Sequence, residues 1–98
     1  MSGVFVLGGH QTDFARNWAR EDLGISDMVA ETVRAVLEDA AVRPEDIDAC
    51  HVGNFVGELF TGQGHLGGMF AAVEPRLSGT PAMRHEAACA SGSMALIA

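Results

Sequence analysis

An apolar stripe in the first half of the chain constrains its fold most. Ile25, Met28, Val29, Val33, Val36, Leu37 and Ala40 recur at helical spacing, with Glu31, Arg34, Glu38 and Asp39 on the other faces. A helix patterned in this way has to lay its stripe against a second layer of structure, which makes the stripe core packing and not a cofactor box. Ser26 is the predicted N-cap, with Asp27 in the first turn near the positive end of the helix dipole. Pro44 is predicted to end the helix, because it pushes Arg43 away from helical angles.

The layer it packs on is predicted to be a sheet. Val4 to Leu7 is a continuous apolar run closed by Gly8-Gly9, the pattern of a short strand buried inside a parallel sheet. Ala49 to Phe55 is the second strand candidate. Leu66, Met69, Phe70 and Val73 form a second, shorter helical stripe, which Pro75 stops. Arg76 to Pro81 is a turn-rich connection, and Met83 to Ala88 is a third, weakly patterned strand followed by a helix-forming run. Strand and helix thus alternate three times, the order of a doubly wound α/β sheet. The polar stretch from His10 to Asp22 reads as a surface loop, with Trp18 packed on its own domain in preference to facing a substrate.

Three groups of residues invite a chemical reading. Cys89 stands among Ala87, Ala88, Ala90, Ser91 and Gly92, so a large substrate has room to reach its sulfur. A cysteine where a helix begins sits beside unpaired N–H groups and the positive end of the dipole, which favour the nucleophilic thiolate. A small cysteine buried at a tight strand-to-helix junction would give the same sequence. Cys50 and His51 are adjacent, but strand alternation sends them to opposite faces, and no second Cys/His pair follows at zinc-site spacing. No metal is expected. Gly62-Gln63-Gly64-His65-Leu66-Gly67 fits G-x-G-x-x-G, and Glu86 lies at about the offset of a ribose-binding acid. That motif binds pyrophosphate only when it directly follows a strand and opens a helix, whereas Val56 to Thr61 intervenes here. His65 reads as a capping or surface residue.

The segment Cys89-Ala90-Ser91-Gly92-Ser93-Met94-Ala95-Leu96 resembles the surroundings of the acyl-accepting cysteine of the thiolase family. Val4 to Gly9, then Thr12-x-Phe14-x-Arg16, resemble the family's opening strand and loop. Pro44 to Asp48, then Val52-Gly53-Asn54, resemble its second strand and the approach to it. Asp13 and Ala15, and the run Glu86-Ala87-Ala88, depart from what many members carry. The resemblance covers essentially the whole chain, as the N-terminal portion of a thiolase-like N-terminal domain (1–98). It implies an α/β fold with α-β-α-β-α layers and a mainly parallel sheet. It implies exchange of an acetyl or acyl group between coenzyme A and a 3-ketoacyl chain. Cys89 would be the nucleophile, and its backbone N–H a candidate oxyanion donor. The family's catalytic histidine and second cysteine belong to its C-terminal half, and none of His10, His51, His65 and His85 falls in a matching segment. Coenzyme A is then a substrate, and no resident cofactor is expected. Homo-oligomers, dimers or tetramers, would form through the strand before the cysteine, here Met83 to Ala87. The alternative function is a non-catalytic, thiolase-like partner of a catalytic chain, and a third is a dinucleotide-binding module.

Composition removes other classes. The formal net charge of −7 disfavours nucleic acid and anionic membrane surfaces as partners. Two cysteines make no disulfide framework. No basic stretch precedes a long apolar run at the N-terminus, and no run approaches the ~20 apolar residues of a membrane span. A cytoplasmic, reducing setting is the expectation. The chain stops at Ala98 within an apolar helical pattern that has no capping glycine or basic last turn, as expected for the front of a longer protein. Alone, the segment is expected to be neither cooperative in unfolding nor active.

Overall fold

The computed structural model describes residues 3–98. Helix α1 spans Ile25–Ala40, as the stripe predicts. Its start differs by two residues: Gly24 is the N-cap, and its N–H donates to the Asp27 carboxylate at 2.8 Å. Ser26 therefore lies inside the first turn. An acceptor at Asp27 can reach back to Gly24, so the cap needs no side chain of its own. The helix ends at Ala41, which takes the left-handed conformation at φ 55°, with its N–H bonded to the Glu38 carbonyl and that of Val42 bonded to Leu37. Pro44 opens the following 3-10 turn, Pro44–Asp46, and is itself buried.

The sheet of the described residues has two strands. β1, Cys50–Gly53, and β2, Ala82–His85, run parallel with Cys50 opposite Ala82 and Gly53 opposite His85. The second and third predicted strands are thus present but shorter than expected, and the last bond between them runs from the Asn54 N–H to the His85 carbonyl at 3.0 Å. The first is not formed. Val4, Phe5, Val6 and Leu7 carry no strand pairing, and Val4 is 99% exposed. An apolar run reads as a strand only in the presence of a neighbouring edge to pair with, and the run alone does not supply one. Gly9, just after it, is tied to α1 instead, through its N–H to the Asp39 carboxylate at 2.9 Å.

Between the strands run two short helices, α2, Gly57–Thr61, and α3, Met69–Val73, separated by a 3-10 turn at Leu66–Gly68. The second stripe is therefore real but divided, and its first residue, Leu66, sits in the 3-10 turn. Helix α2 has no counterpart in the sequence reading. The Asn54 side chain starts it by accepting the Gly57 N–H at 2.6 Å. A final helix, α4, spans Ser91–Ile97. Among the described residues the buried apolar core consists of Cys50 of β1, Leu66 of the 3-10 turn that packs on β1, Met69 of α3, and Leu77 of the 3-10 turn that follows α3. The loop before α1 is pinned by Arg16, which pairs with Glu21 and with Glu31 of α1, both at 2.7 Å, and stacks 3.7 Å over the Trp18 ring. Trp18 thus packs on its own domain, as predicted. No helix among the described residues is long and apolar enough to cross a membrane.

Candidate active site

Two residues outside β2 the chain enters a turn that carries Cys89 and delivers it to α4. The turn is closed by backbone bonds from Ala90 N–H to the Ala87 carbonyl, 2.9 Å, and from Ser91 N–H to that of Ala88, 3.2 Å. Ala88, immediately before the cysteine, sits at φ 49°. A left-handed residue with a Cβ costs roughly 1–2 kcal/mol, so the surrounding bonds have to hold it. Two side chains do so. Glu86 accepts the Ala88 N–H at 2.6 Å. Ser91, only 5% exposed, accepts the Ala87 N–H at 2.9 Å and donates to the Ala88 carbonyl at 2.7 Å.

The turn rests on the end of β1. A Cβ built on Gly53 would lie 2.5 Å from the Ser91 carbonyl carbon and 2.7 Å from the Gly92 nitrogen. Only glycine lets the backbone of α4 come this close, which is the physical content of the Gly-Asn pair at the strand end. Arg84 fixes the same end from β2. Its Nη2 donates to the carbonyls of Asn54 and Phe55 at 3.2 and 2.8 Å and lies 2.9 Å from Glu58 of α2. The Arg84 guanidinium beside it holds the Glu58 carboxyl below its ordinary value.

The two cysteines differ sharply in setting. Cys89 is exposed on the turn, and among the described residues its N–H makes no hydrogen bond. It stands one position before Ala90, the N-cap of α4, and so just outside the helix and not within its first turn. Cys50 is buried in β1, and burial pushes its thiol up. The alternation predicted for Cys50 and His51 holds: the cysteine points into the core and His51 is exposed. His51 meets His85 across the ladder, with Nδ1 and Nε2 2.8 Å apart and ring centroids 5.0 Å apart. The sequence offered no sign of this pair, because it depends on the register of β1 against β2. Among the described residues no group of three or more His, Cys, Asp or Glu side chains is placed to hold a metal ion.

The glycine pattern has the wrong surroundings for a dinucleotide. Gly62 is the left-handed C-cap of α2 at φ 72°, and Gly67 lies in the 3-10 turn, so the pattern follows a helix and not a strand. Glu86, the would-be ribose ligand, is engaged by its own turn. His65 is the left-handed residue that precedes the 3-10 turn, and it is exposed, which fits the capping or surface role read for it.

Comparison with known proteins places this geometry. The family profile described as the thiolase N-terminal domain matches residues 4–98. An acetyl-CoA acetyltransferase of Methanothermobacter thermautotrophicus is 41% identical over 98% of this chain, and one of Methanocaldococcus jannaschii is 38% identical over the same share. A non-specific lipid-transfer protein-like 2 of Caenorhabditis elegans is 32% identical over 95% of the chain. The chain spans about a quarter of the length of these relatives, 24% for the two acetyltransferases and 21% for the third. With the parallel α/β arrangement and the cysteine turn leading into α4, the match over residues 4–98 shows that this chain belongs to the thiolase family, within the region of its N-terminal domain.

Proposed function

We propose that the protein is a thiolase-type acyltransferase in which Cys89 accepts an acyl group from a coenzyme A thioester. The observation that carries the reading is the setting of Cys89: exposed, on a tight turn held by the buried Ser91, in a chain of this family. The Cys89 sulfur attacks the thioester carbonyl carbon and forms a new S–C bond. The C–S bond to coenzyme A then breaks, and its electron pair leaves on the coenzyme A sulfur. The Cys89 proton passes through a base to that sulfur, and the family pattern puts this base in its C-terminal half. The unpaired Cys89 N–H is suited to stabilise the developing oxyanion. A 3-ketoacyl chain is the second substrate in the family pattern. Coenzyme A enters as substrate, and the chemistry needs no resident cofactor or metal. A homo-oligomer assembled through Met83 to Ala87, working in the cytoplasm, completes the proposal, and light scattering of the full-length protein tests the assembly.

Acetyl-CoA incubated with the full-length protein, followed by peptide mapping, tests the chemistry. One acetyl group on the Cys89 peptide, absent in Cys89→Ala, is expected. Acetylation elsewhere, or none, refutes the reading. Iodoacetamide is expected to modify Cys89 well before Cys50, because the latter is both shielded and shifted toward the thiol. Faster modification of Cys50 would reverse the assignment.

A further inference from the structure

We infer that Ser91 is a positioning residue for acyl transfer, acting on Cys89 through the backbone of the turn and not by touching the substrate. The inference rests on the proposed role of Cys89 as acyl acceptor. Ser91 is the only buried polar residue among those described, and its hydroxyl is satisfied as both acceptor and donor. Neither partner is solvent or another side chain. Both are main-chain groups of the residues just before Cys89: the Ala87 N–H and the Ala88 carbonyl. Those two groups bracket Ala88, whose left-handed backbone at φ 49° sets the direction in which the next residue leaves the turn. A strained residue keeps such a conformation only when its neighbours over-determine it.

No other bond of the turn binds both of these groups. The Glu86 carboxylate bonds the Ala88 N–H from an exposed position. The Ser91 N–H reaches the Ala88 carbonyl at 3.2 Å, against 2.7 Å for the hydroxyl. Ser91 is also the residue whose backbone is pressed against Gly53, so its own position is fixed by β1. The hydroxyl therefore transmits the placement of the sheet to the cysteine. Loss of the hydroxyl leaves the Ala87 N–H and one lone pair of the Ala88 carbonyl without their partner, and lets Ala88 relax toward ordinary angles. The Cys89 sulfur and N–H would then turn together, away from a shared position on the thioester carbonyl.

The test compares full-length wild type with Ser91→Ala and with Ser91→Thr, which keeps the hydroxyl. The readouts are single-turnover acetylation of Cys89 by acetyl-CoA, steady-state kinetics and alkylation by iodoacetamide. Small displacements of a reacting group cost about a hundredfold in rate, so a drop in acetylation of this order is expected in Ser91→Ala. KM for acetyl-CoA and the rate of alkylation should change far less, since a small reagent needs access to the sulfur but no alignment. Ser91→Thr should recover most of the loss. Equal loss of acetylation and of alkylation, or acetylation by Ser91→Ala at the wild-type rate, would overturn the inference. A wild type that is not acetylated at Cys89 would overturn the acyl-acceptor reading, and the positioning role with it. Amide hydrogen exchange on the wild type gives a check that needs no variant. The Ala87 amide should be protected by the buried hydroxyl, and exchange at the rate of an open amide would sink the assignment.

Discussion

Replacing Gly53 by alanine adds one methyl group at the most crowded contact between the sheet and α4. The added Cβ would clash with the Ser91 carbonyl oxygen and lie 2.5 Å from its carbon and 2.7 Å from the Gly92 nitrogen. Ordinary carbon contacts need well over 3 Å, and all three obstacles are backbone atoms, so no side chain can swing aside. Either α4 shifts by about 1 Å or the end of β1 bends, and overpacking of this kind costs roughly 1–3 kcal/mol. We expect the upper end, about 3 kcal/mol, because Ser91 is tied on its other side to the turn through its hydroxyl. The assay is urea unfolding of the full-length Gly53→Ala variant beside wild type, followed by circular dichroism. The midpoint should fall with the slope unchanged, as for a change in stability alone. A loss below about 0.5 kcal/mol, the range of ordinary surface changes, would refute the close approach of α4 to β1.

Ala41→Gly should stabilise the protein. The C-terminal position of α1 is left-handed at φ 55°, and relief of its strain outweighs the added freedom of the unfolded chain by about 0.5–1 kcal/mol. A lowered urea midpoint in this variant would contradict the helix end described above. Arg84→Met should lower stability in a pH-dependent way. Glu58 has its folded pKa depressed by the ion pair with Arg84, so its stabilisation is present above the unfolded value of about 4.3. It is lost as the pH falls through the lower folded value. The difference between wild type and variant should therefore be widest above the unfolded value and narrow in acid, and a gap that stays constant across this range would exclude the Arg84–Glu58 contribution.

Helix α1 was legible because amphipathic spacing is a local property: seven apolar positions recurring over sixteen residues admit one regular structure. The cysteine turn was legible as a strand-to-helix junction for a similar reason, since small residues before a helix-forming run have few alternatives. The cap of α1 was misplaced because Ser26 and Gly24 compete, and an Asp27 carboxylate that reaches back to Gly24 settles the matter through geometry. Val4 to Leu7 was misread because a strand is not a property of one segment. Its backbone groups need a paired edge, and among the described residues β1 and β2 pair only with each other.

The sequence by itself determined the amphipathic helix, the α/β alternation, the family resemblance and the candidate nucleophile, all carried by residue types at short spacing. Only the tertiary structure decided what surrounds that nucleophile. Gly53 is thirty-eight positions before Ser91, yet it is the missing Cβ of one that admits the backbone of the other. His51 and His85 meet because Gly53 stands opposite His85 in the ladder. These contacts depend on register and close packing, which arise between segments and leave no periodic mark within any one of them.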